Sequence, residues 1–445
     1  MLATQSDVQA SLFTRLLDAR RRTDELFDLV RPDALYDRPI AERHRIVFYI
    51  GHLEAFDWNL LRERLFRANS FHPDFDHLFA FGIDPVDGGL PTDQPSDWPS
   101  LAKVREYVQG VRDELDDRLA PILDNARNDD SGEFPASQLL NVAIEHRLMH
   151  AETLAYMLHQ LPFDRKRSVE TPVPTGTHPR TAVGGAIEIP GGSITLGLPR
   201  NGHQFGWDNE FEEHTVTVPA FAIDRYKVTN REYLEFMDAG GYRNRSFWSA
   251  EDWNWKESAS ITHPVFWTRK DGAWHWRGMF TEIPLPPDWP VYVSHAEASA
   301  FARWAGKSLS TEAQWQRAAY ATPDGRQRDY PWGPEPPNSS RGNFDFFSWD
   351  PMPVAAHPNC ASAFGVEDML GNGWEWTSTP FQPFPGFAPF SFYPGYSANF
   401  FDGKHYVMKG GSPRTAACML RASFRNWFQP RYQYVYSGFR CVQNH

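Results

Sequence analysis

Apolar side chains in the first 160 residues recur every three to four positions, the spacing of one helix face. Over about residues 6–30 the stripe is Val8, Leu12, Leu16, Leu26 and Phe27. Over about 42–68 it is Ile46, Tyr49, Ile50, Leu53, Phe56, Leu60 and Leu61, and over about 101–126 it is Val104, Val108, Val111, Leu115, Leu119 and Ile122. A fourth stripe, over about 136–161, carries Leu139, Leu140, Val142, Leu154, Met157, Leu158 and Leu161. The spacing predicts four amphipathic helices, and helices of this length predict a four-helix bundle. Between the second and third the pattern lapses over about 70–99, rich in Pro, Asp and Gly; a loop of that length often carries function.

Arg165-Lys166-Arg167 leads into Thr171-Pro172-Val173-Pro174-Thr175-Gly176, which has no periodicity and reads as a linker. From about residue 186 short β-like runs, Ile187-Glu188-Ile189 and His214-Thr215-Val216-Thr217-Val218, alternate with Gly/Pro turns. A few helices start at capping boxes, Thr229 with Glu232, Ser294 with Glu297, and Thr311 with Gln314. The expected class is α+β: a helical domain over 1–165, a linker over 166–185 and a loop-rich second domain over 186–445.

Composition narrows the function classes. At 445 residues each domain can bury its own core. A net charge of −12 argues against a nucleic-acid binder, which needs a basic face for phosphates. No apolar run approaches a membrane span, and Met1-Leu2-Ala3-Thr4-Gln5-Ser6 lacks a secretory apolar core. Three cysteines, Cys360, Cys418 and Cys441, with no C-x-x-C pair exclude a disulfide scaffold and fit a reducing cytoplasm. Nothing in the composition indicates an oligomeric state.

The chemistry concentrates in Glu145-His146-Arg147-Leu148-Met149-His150. On a helix, positions i and i+4 share a face, so His146 and His150 can reach one point and supply half of a transition-metal site. His44, His72, His77 and His159 have no such pairing, and His159, nine residues past His150, falls on the opposite helix face, expected at a surface or interface.

The second domain carries a series of motifs in fixed order. They are Pro190-Gly191-Gly192, Val228-Thr229-Asn230-Arg231-Glu232-Tyr233, Gly306-Lys307-Ser308-Leu309-Ser310-Thr311-Glu312-Ala313-Gln314-Trp315 and Tyr330-Pro331-Trp332-Gly333. Gly371-Asn372-Gly373-Trp374-Glu375-Trp376-Thr377, Gly410-Gly411-Ser412 and Gly438-Phe439-Arg440-Cys441 complete it. The series resembles the formylglycine-generating-enzyme/sulfatase-modifying-factor domain, which implies a fold of the C-type-lectin kind with little regular structure. True formylglycine-generating enzymes hold copper with a cysteine pair near the domain's end. Here Leu420-Arg421-Ala422-Ser423-Phe424-Arg425-Asn426 has no thiol, and Cys418 and Cys441 lie far apart in sequence.

The whole plan, a histidine-bearing DinB-like bundle followed by this domain, resembles the EgtB-type sulfoxide synthases of ergothioneine biosynthesis and the SenA-type selenoneine synthases. In that family three histidines hold one non-haem iron. The resemblance assigns His52, in Gly51-His52-Leu53, with His146 and His150 as ligands to Fe(II). It implies O2 as co-substrate and oxidative C–S or C–Se bond formation at the imidazole C2 of hercynine (Nα-trimethylhistidine). It carries over Asn426, Trp427 and Phe428 as hercynine contacts, in keeping with the aromatic wall that a quaternary ammonium needs. Tyr393 and Tyr396 are both candidates for the family's proton-donating tyrosine. Calcium in the second domain is admitted by the resemblance, although no dense carboxylate cluster demands it.

Three departures bear on the second substrate. Met149 stands where many members place a Gln that bonds the substrate. Phe428 and Tyr432 stand where users of γ-glutamylcysteine place an acidic residue and an arginine. The 70–99 stretch holds Phe71, Phe75, Phe79 and Phe81 but no tyrosine, unlike cysteine-using relatives. A selenosugar or cysteine is therefore expected as donor before γ-glutamylcysteine. The alternatives are a three-histidine zinc hydrolase or thiol transferase, and a non-catalytic lectin-like binding module.

Overall fold

The computed structural model describes residues 5–83, 89–124, 134–167, 184–202 and 204–445, with residues 5–11 and 121–124 as helical backbone only. The chain divides into two compact units, Met1–Val169 and Glu170–His445, the first helical and the second bearing the sheets; the molecule is α+β.

The first unit is built on α1 (Gln5–Asp28), α2 (Ile46–Leu61), α3 (Pro73–Phe81), α4 (Leu101–Asp124) and α5 (Ala136–Gln160). Four are the helices that the apolar spacing predicts. In α4 the buried stripe is Val104, Tyr107, Val111, Leu115 and Leu119, each step three or four residues, so one face enters the core. α2 runs on as a π-helical turn, Arg62–Phe66, and stops where Arg67 takes a left-handed conformation (φ 50°). α3 was not expected. It lies inside the 70–99 stretch, started by Pro73 in the first turn and closed by Gly82 at φ 73°.

α5 packs against α1 and α2 and is buried around most of its circumference. That corrects the expectation for His159, which is fully buried because this helix has no solvent face at that turn. Past the end of α5, Lys166 is buried and donates its Nζ to the Leu158 carbonyl at 3.0 Å, while pairing as a β-bridge with Val30. The first residue of the expected linker thus belongs to the helical unit, and residues 168–183 of that linker lie outside the described residues.

A buried ionic network ties the four long helices together. Arg147 on α5, 1% exposed, donates to Glu54 Oε2 at 2.9 Å, to Asp57 Oδ2 at 2.6 Å and to the Leu53 carbonyl at 3.0 Å, all on α2. Glu54 also accepts from Arg112 of α4 at 2.6 Å, and Arg112 reaches Asp24 of α1 at 2.8 Å. Burial opposes ionisation of Glu54, but Arg147 and Arg112 outweigh it and hold its carboxyl at about 2.

Among the described residues the second unit orders its backbone in four small sheets. Strands β1 (Ala186–Ile189), β2 (Gly192–Leu196), β3 (His214–Val218) and β4 (Phe221–Asp224) open it, followed by α6 (Asn230–Asp238) and α7 (Ala250–Ser258). Next come β5 (Trp267–Lys270), β6 (Ala273–Arg277), β7 (Glu282–Pro284), α8 (His295–Trp304), β8 (Ser308–Leu309) and α9 (Glu312–Tyr320). The chain closes with β9 (Trp374–Pro380), β10 (Tyr406–Lys409), β11 (Asn426–Phe428), β12 (Ser437–Gly438) and β13 (Cys441–Asn444). One sheet runs β1-β4-β13-β8, all antiparallel; another runs β11-β10-β9-β12, with β12 parallel to β9. β2 pairs with β3, and β5, β6 and β7 form a meander.

Helices α6, α8 and α9 begin at reciprocal capping boxes on Thr229/Glu232, Ser294/Glu297 and Thr311/Gln314. The C-terminal motifs meet in the core: Glu375 accepts from Arg440 Nε at 2.7 Å and Trp315 Nε1 at 3.0 Å, and pairs with Lys227 at 3.3 Å. All three cysteines are free thiols. Among the described residues no helix is long and apolar enough to cross a membrane.

Candidate metal centre and aromatic site

α2 carries His52, and α5 carries His146 and His150 one turn apart. Each offers a ring nitrogen, and the three lie within 4.8 Å of one another, the only such convergence of His, Cys, Asp or Glu among the described residues. His52 Nε2 and His150 Nε2 are 3.3 Å apart. Two nitrogens bound to one ion at about 2.0–2.1 Å stand about 3–3.4 Å apart at octahedral or tetrahedral angles, so the spacing fits a shared metal.

Electrostatics favour the same use. Burial first, then repulsion from nearby cationic groups, pushes His52 down to about 4 and His146 and His150 well below their ordinary value. All three imidazoles are therefore neutral at pH 7, with lone pairs available. The tautomer of His52 is fixed: its Nδ1 lies 2.7 Å from the Phe79 carbonyl, which can only accept, so Nδ1 holds the proton and Nε2 the lone pair. Flanking rings immobilise the ligands. Phe56 stacks on His146 at 3.4 Å, and Phe48 stacks on His52 at 4.7 Å. Gly51 lets α3 approach closely, since a Cβ there would fall 2.3 Å from the Phe79 ring.

Met149 is half-buried on α5 between the two histidines of that helix. Phe79 is the functional residue that the sequence did not single out. Its signal was present, with Pro73 and Gly82 marking a helix and Phe75 and Phe79 spaced four apart along it.

In the second unit, β11 holds Asn426, Trp427 and Phe428. Consecutive strand residues alternate faces, so Asn426 and Phe428 share one side and Trp427 points to the other. Trp427 stacks flat on Phe381 at 4.2 Å and meets the edge of Tyr396 at 5.4 Å. Tyr396 in turn stacks on Trp207 at 3.9 Å and lies 5.7 Å from Tyr393. The structure thus brings Trp427 together with the tyrosine pair, while Phe428 stacks instead on Tyr432 at 5.3 Å. The Asn426 side-chain oxygen accepts from the Trp427 amide at 2.9 Å, leaving its amide nitrogen as the donor available to a ligand. Burial, reinforced by the Asp208 charge, pushes the Tyr393 hydroxyl up to about 12 and keeps it protonated.

A helical bundle with three converging histidines, followed by an aromatic-rich domain of the motif series above, defines a two-domain protein with a candidate metal site. Residues 15–154 match the DinB superfamily, and residues 173–445 match the sulfatase-modifying factor enzyme 1-like domain. The chain is 36% identical over 446 residues to a hercynine oxygenase of Mycolicibacterium thermoresistibile, covering 98% of this chain and 95% of that one. It is 36% identical to a hercynine oxygenase of Mycolicibacterium smegmatis, over 97% of this chain and 98% of the relative. It is also 28% identical to ergothioneine biosynthesis protein 1 of Neurospora crassa, over 93% of this chain and 55% of that larger protein. The chain belongs to the EgtB-type family.

Proposed function

We propose that this protein is a non-haem Fe(II)- and O2-dependent enzyme that joins sulfur or selenium to the imidazole C2 of hercynine. The observation that carries the reading is the convergence of His52, His146 and His150 as neutral donors on one point. Iron bound there supplies the redox chemistry with O2 that forming a bond at an aromatic carbon requires. A neutral donor set leaves the ion its full charge, which favours binding of an anionic thiolate or selenolate.

The chain's own groups do the rest. Phe79 holds His52 in the ligating tautomer, and the flanking Phe48 and Phe56 stack on the His52 and His146 rings and limit their rotation. Trp427 and Tyr396 present aromatic faces to the quaternary ammonium of the acceptor, and the Asn426 amide, on the other face of the edge strand β11, donates to its carboxylate where the acceptor straddles that edge. Tyr393, protonated at pH 7, can donate a proton from its hydroxyl; Tyr396, packed between Trp207 and Trp427, serves the pocket wall.

The stacked pair Phe428–Tyr432 supports a selenosugar or cysteine as donor. Two rings offer no charge to the two carboxylates and the ammonium of γ-glutamylcysteine; cysteine carries one carboxylate fewer, and a sugar ring packs on aromatic faces. Oxygen uptake by the iron-loaded protein with hercynine and each donor in turn tests this. Hercynine-dependent uptake with the selenosugar or with cysteine is expected. No turnover with any donor, in protein that demonstrably holds iron, overturns it.

A further inference from the structure

Trp207-Asp208-Asn209-Glu210 form a single 3-10 turn, Asp208–Glu210 with its cap, in which every residue is 1% exposed or less. Burying three polar side chains in succession is costly unless each finds partners. Glu210 does: it accepts from Arg421 Nε at 2.8 Å, from Ser423 Oγ at 2.6 Å and from the Trp207 amide at 2.8 Å. Asp208 is only half satisfied. Its Oδ1 accepts from Ser397 Oγ at 2.6 Å, but Oδ2 is buried without a hydrogen bond, and no cation pairs with the carboxylate among the described residues. The Asn209 carboxamide has no partner at either atom. An orphaned buried polar group costs about 1–3 kcal/mol. Three orphaned atoms on adjacent residues therefore leave this turn with polarity, one of them on a carboxylate, that the chain itself does not offset.

The turn sits against both segments that carry the acceptor residues. Trp207 stacks on Tyr396, and Asp208 holds Ser397, the next residue along. The Asn209 carbonyl accepts from Arg425 Nη1 at 3.3 Å, one residue before Asn426. Asp208 is thus a buried carboxylate without a cation, set among Trp207, Tyr393 and Tyr396. A quaternary ammonium has no N–H and is held by aromatic faces and a nearby negative charge, which the rings of this site and the Asp208 carboxylate supply.

We propose that Asp208 is the counter-charge for the quaternary ammonium of the acceptor, with the Asn209 carboxamide as the polar contact beside it. The proposal rests on the acceptor reading given above and extends it to a segment outside the Asn426–Phe428 stretch. Burial raises the Asp208 carboxyl above its ordinary value despite hydrogen bonds from Ser397 and from the Phe390 and Asn209 amides, and a bound cation would reverse that.

Calorimetric titration of the metal-loaded full chain with two probes tests it: hercynine, and 3-(imidazol-4-yl)propanoate, which lacks the ammonium. Asp208→Asn keeps the side-chain shape and the Ser397 acceptor while removing the charge. It is expected to weaken hercynine at least ten-fold and to leave the propanoate within two-fold of wild type. Asn209→Leu, which removes the orphaned amide, is expected to keep or raise the melting temperature while weakening hercynine. Ser397→Ala serves as the control for loss of the hydrogen bond alone and should preserve the ratio between the two probes. Wild-type affinity of Asp208→Asn for hercynine, or equal loss of both probes, overturns the proposal. Wild-type protein that binds no hercynine overturns the acceptor reading itself, a distinct result.

Discussion

Gly51→Ala would place a methyl group 2.3 Å from the Phe79 ring. Carbon atoms rest about 3.5–4.0 Å apart, so the ring or the helix bearing it must retreat by more than about 1 Å. The ring has nowhere to turn. Phe79 is fully buried among Phe75, Trp98 and Tyr107, with centroids at 5.4, 6.4 and 5.6 Å. The displacement therefore passes to the α3 backbone and opens the 2.7 Å bond from His52 Nδ1 to the Phe79 carbonyl. Overpacking costs about 1–3 kcal/mol, and replacing a mid-helix glycine by alanine returns about 1 kcal/mol, so the apo protein should lose about 0–2 kcal/mol. Losing the partner that orients a metal-binding imidazole costs about 10–100-fold in metal affinity. A chelator-competition titration of the folded variant reads that loss, with melting of the metal-free protein as the companion measurement. Phe79→Leu in the same background should recover part of the affinity by relieving the clash. A folded Gly51→Ala protein that binds metal within two-fold of wild type refutes the reasoning.

Other perturbations separate the roles of neighbouring groups. His150→Ala should abolish metal retention after dialysis while leaving the helical circular-dichroism signal intact. Trp427→Ala should raise KM for hercynine with metal content unchanged; simultaneous loss of metal would contradict its place in the aromatic site. Arg147→Met should destabilise the fold by about 3–5 kcal/mol in denaturant titration, because Asp57 stays buried without its cation and Glu54 keeps only the partners on the other helices. Below pH 6.5 the unfolded histidines take up protons that the folded trio, with His52 at about 4, does not. Stability of the metal-free protein should thus rise with pH between about 4 and 6.5, by about 1.4 kcal/mol per unit for each such histidine. A flat stability profile across that window would argue against burial of the trio in a neutral state.

The helices and the convergence of the histidine pair were legible because one periodicity governs both. The spacing that buries Val104, Val111 and Leu115 also places His146 and His150 on one face, and the family resemblance supplied His52. The capping boxes were equally readable, since a cap is a local hydrogen-bond pattern written within four residues. What escaped depends on distant contacts. α3 is nine residues long, so Phe75 and Phe79 make too short a stripe to stand out, and only its packing on Gly51 reveals its role. His159 looked exposed because a helical wheel marks the opposite face without saying what covers it. The Trp207–Glu210 turn reads as a polar loop, and its burial follows from Arg421, Ser423 and Ser397, each nearly 200 positions away or more. The run Asn426-Trp427-Phe428 looked like one contact surface until strand geometry divided it between two faces.

The bond from His52 to the Phe79 carbonyl also limits how this protein can be re-engineered. A stretch lying between two bundle helices invites exchange with the matching stretch of a relative, as a means of changing the second substrate. Here the transplanted piece would carry away the backbone carbonyl that orients His52, a ligand in the proposed metal site. Any chimera must therefore keep Pro73–Gly82 and the glycine it packs on as one block, and place its junctions outside them. Swaps that cut inside that block should produce folded proteins that lose activity for want of metal, and would be misread as failures of substrate recognition.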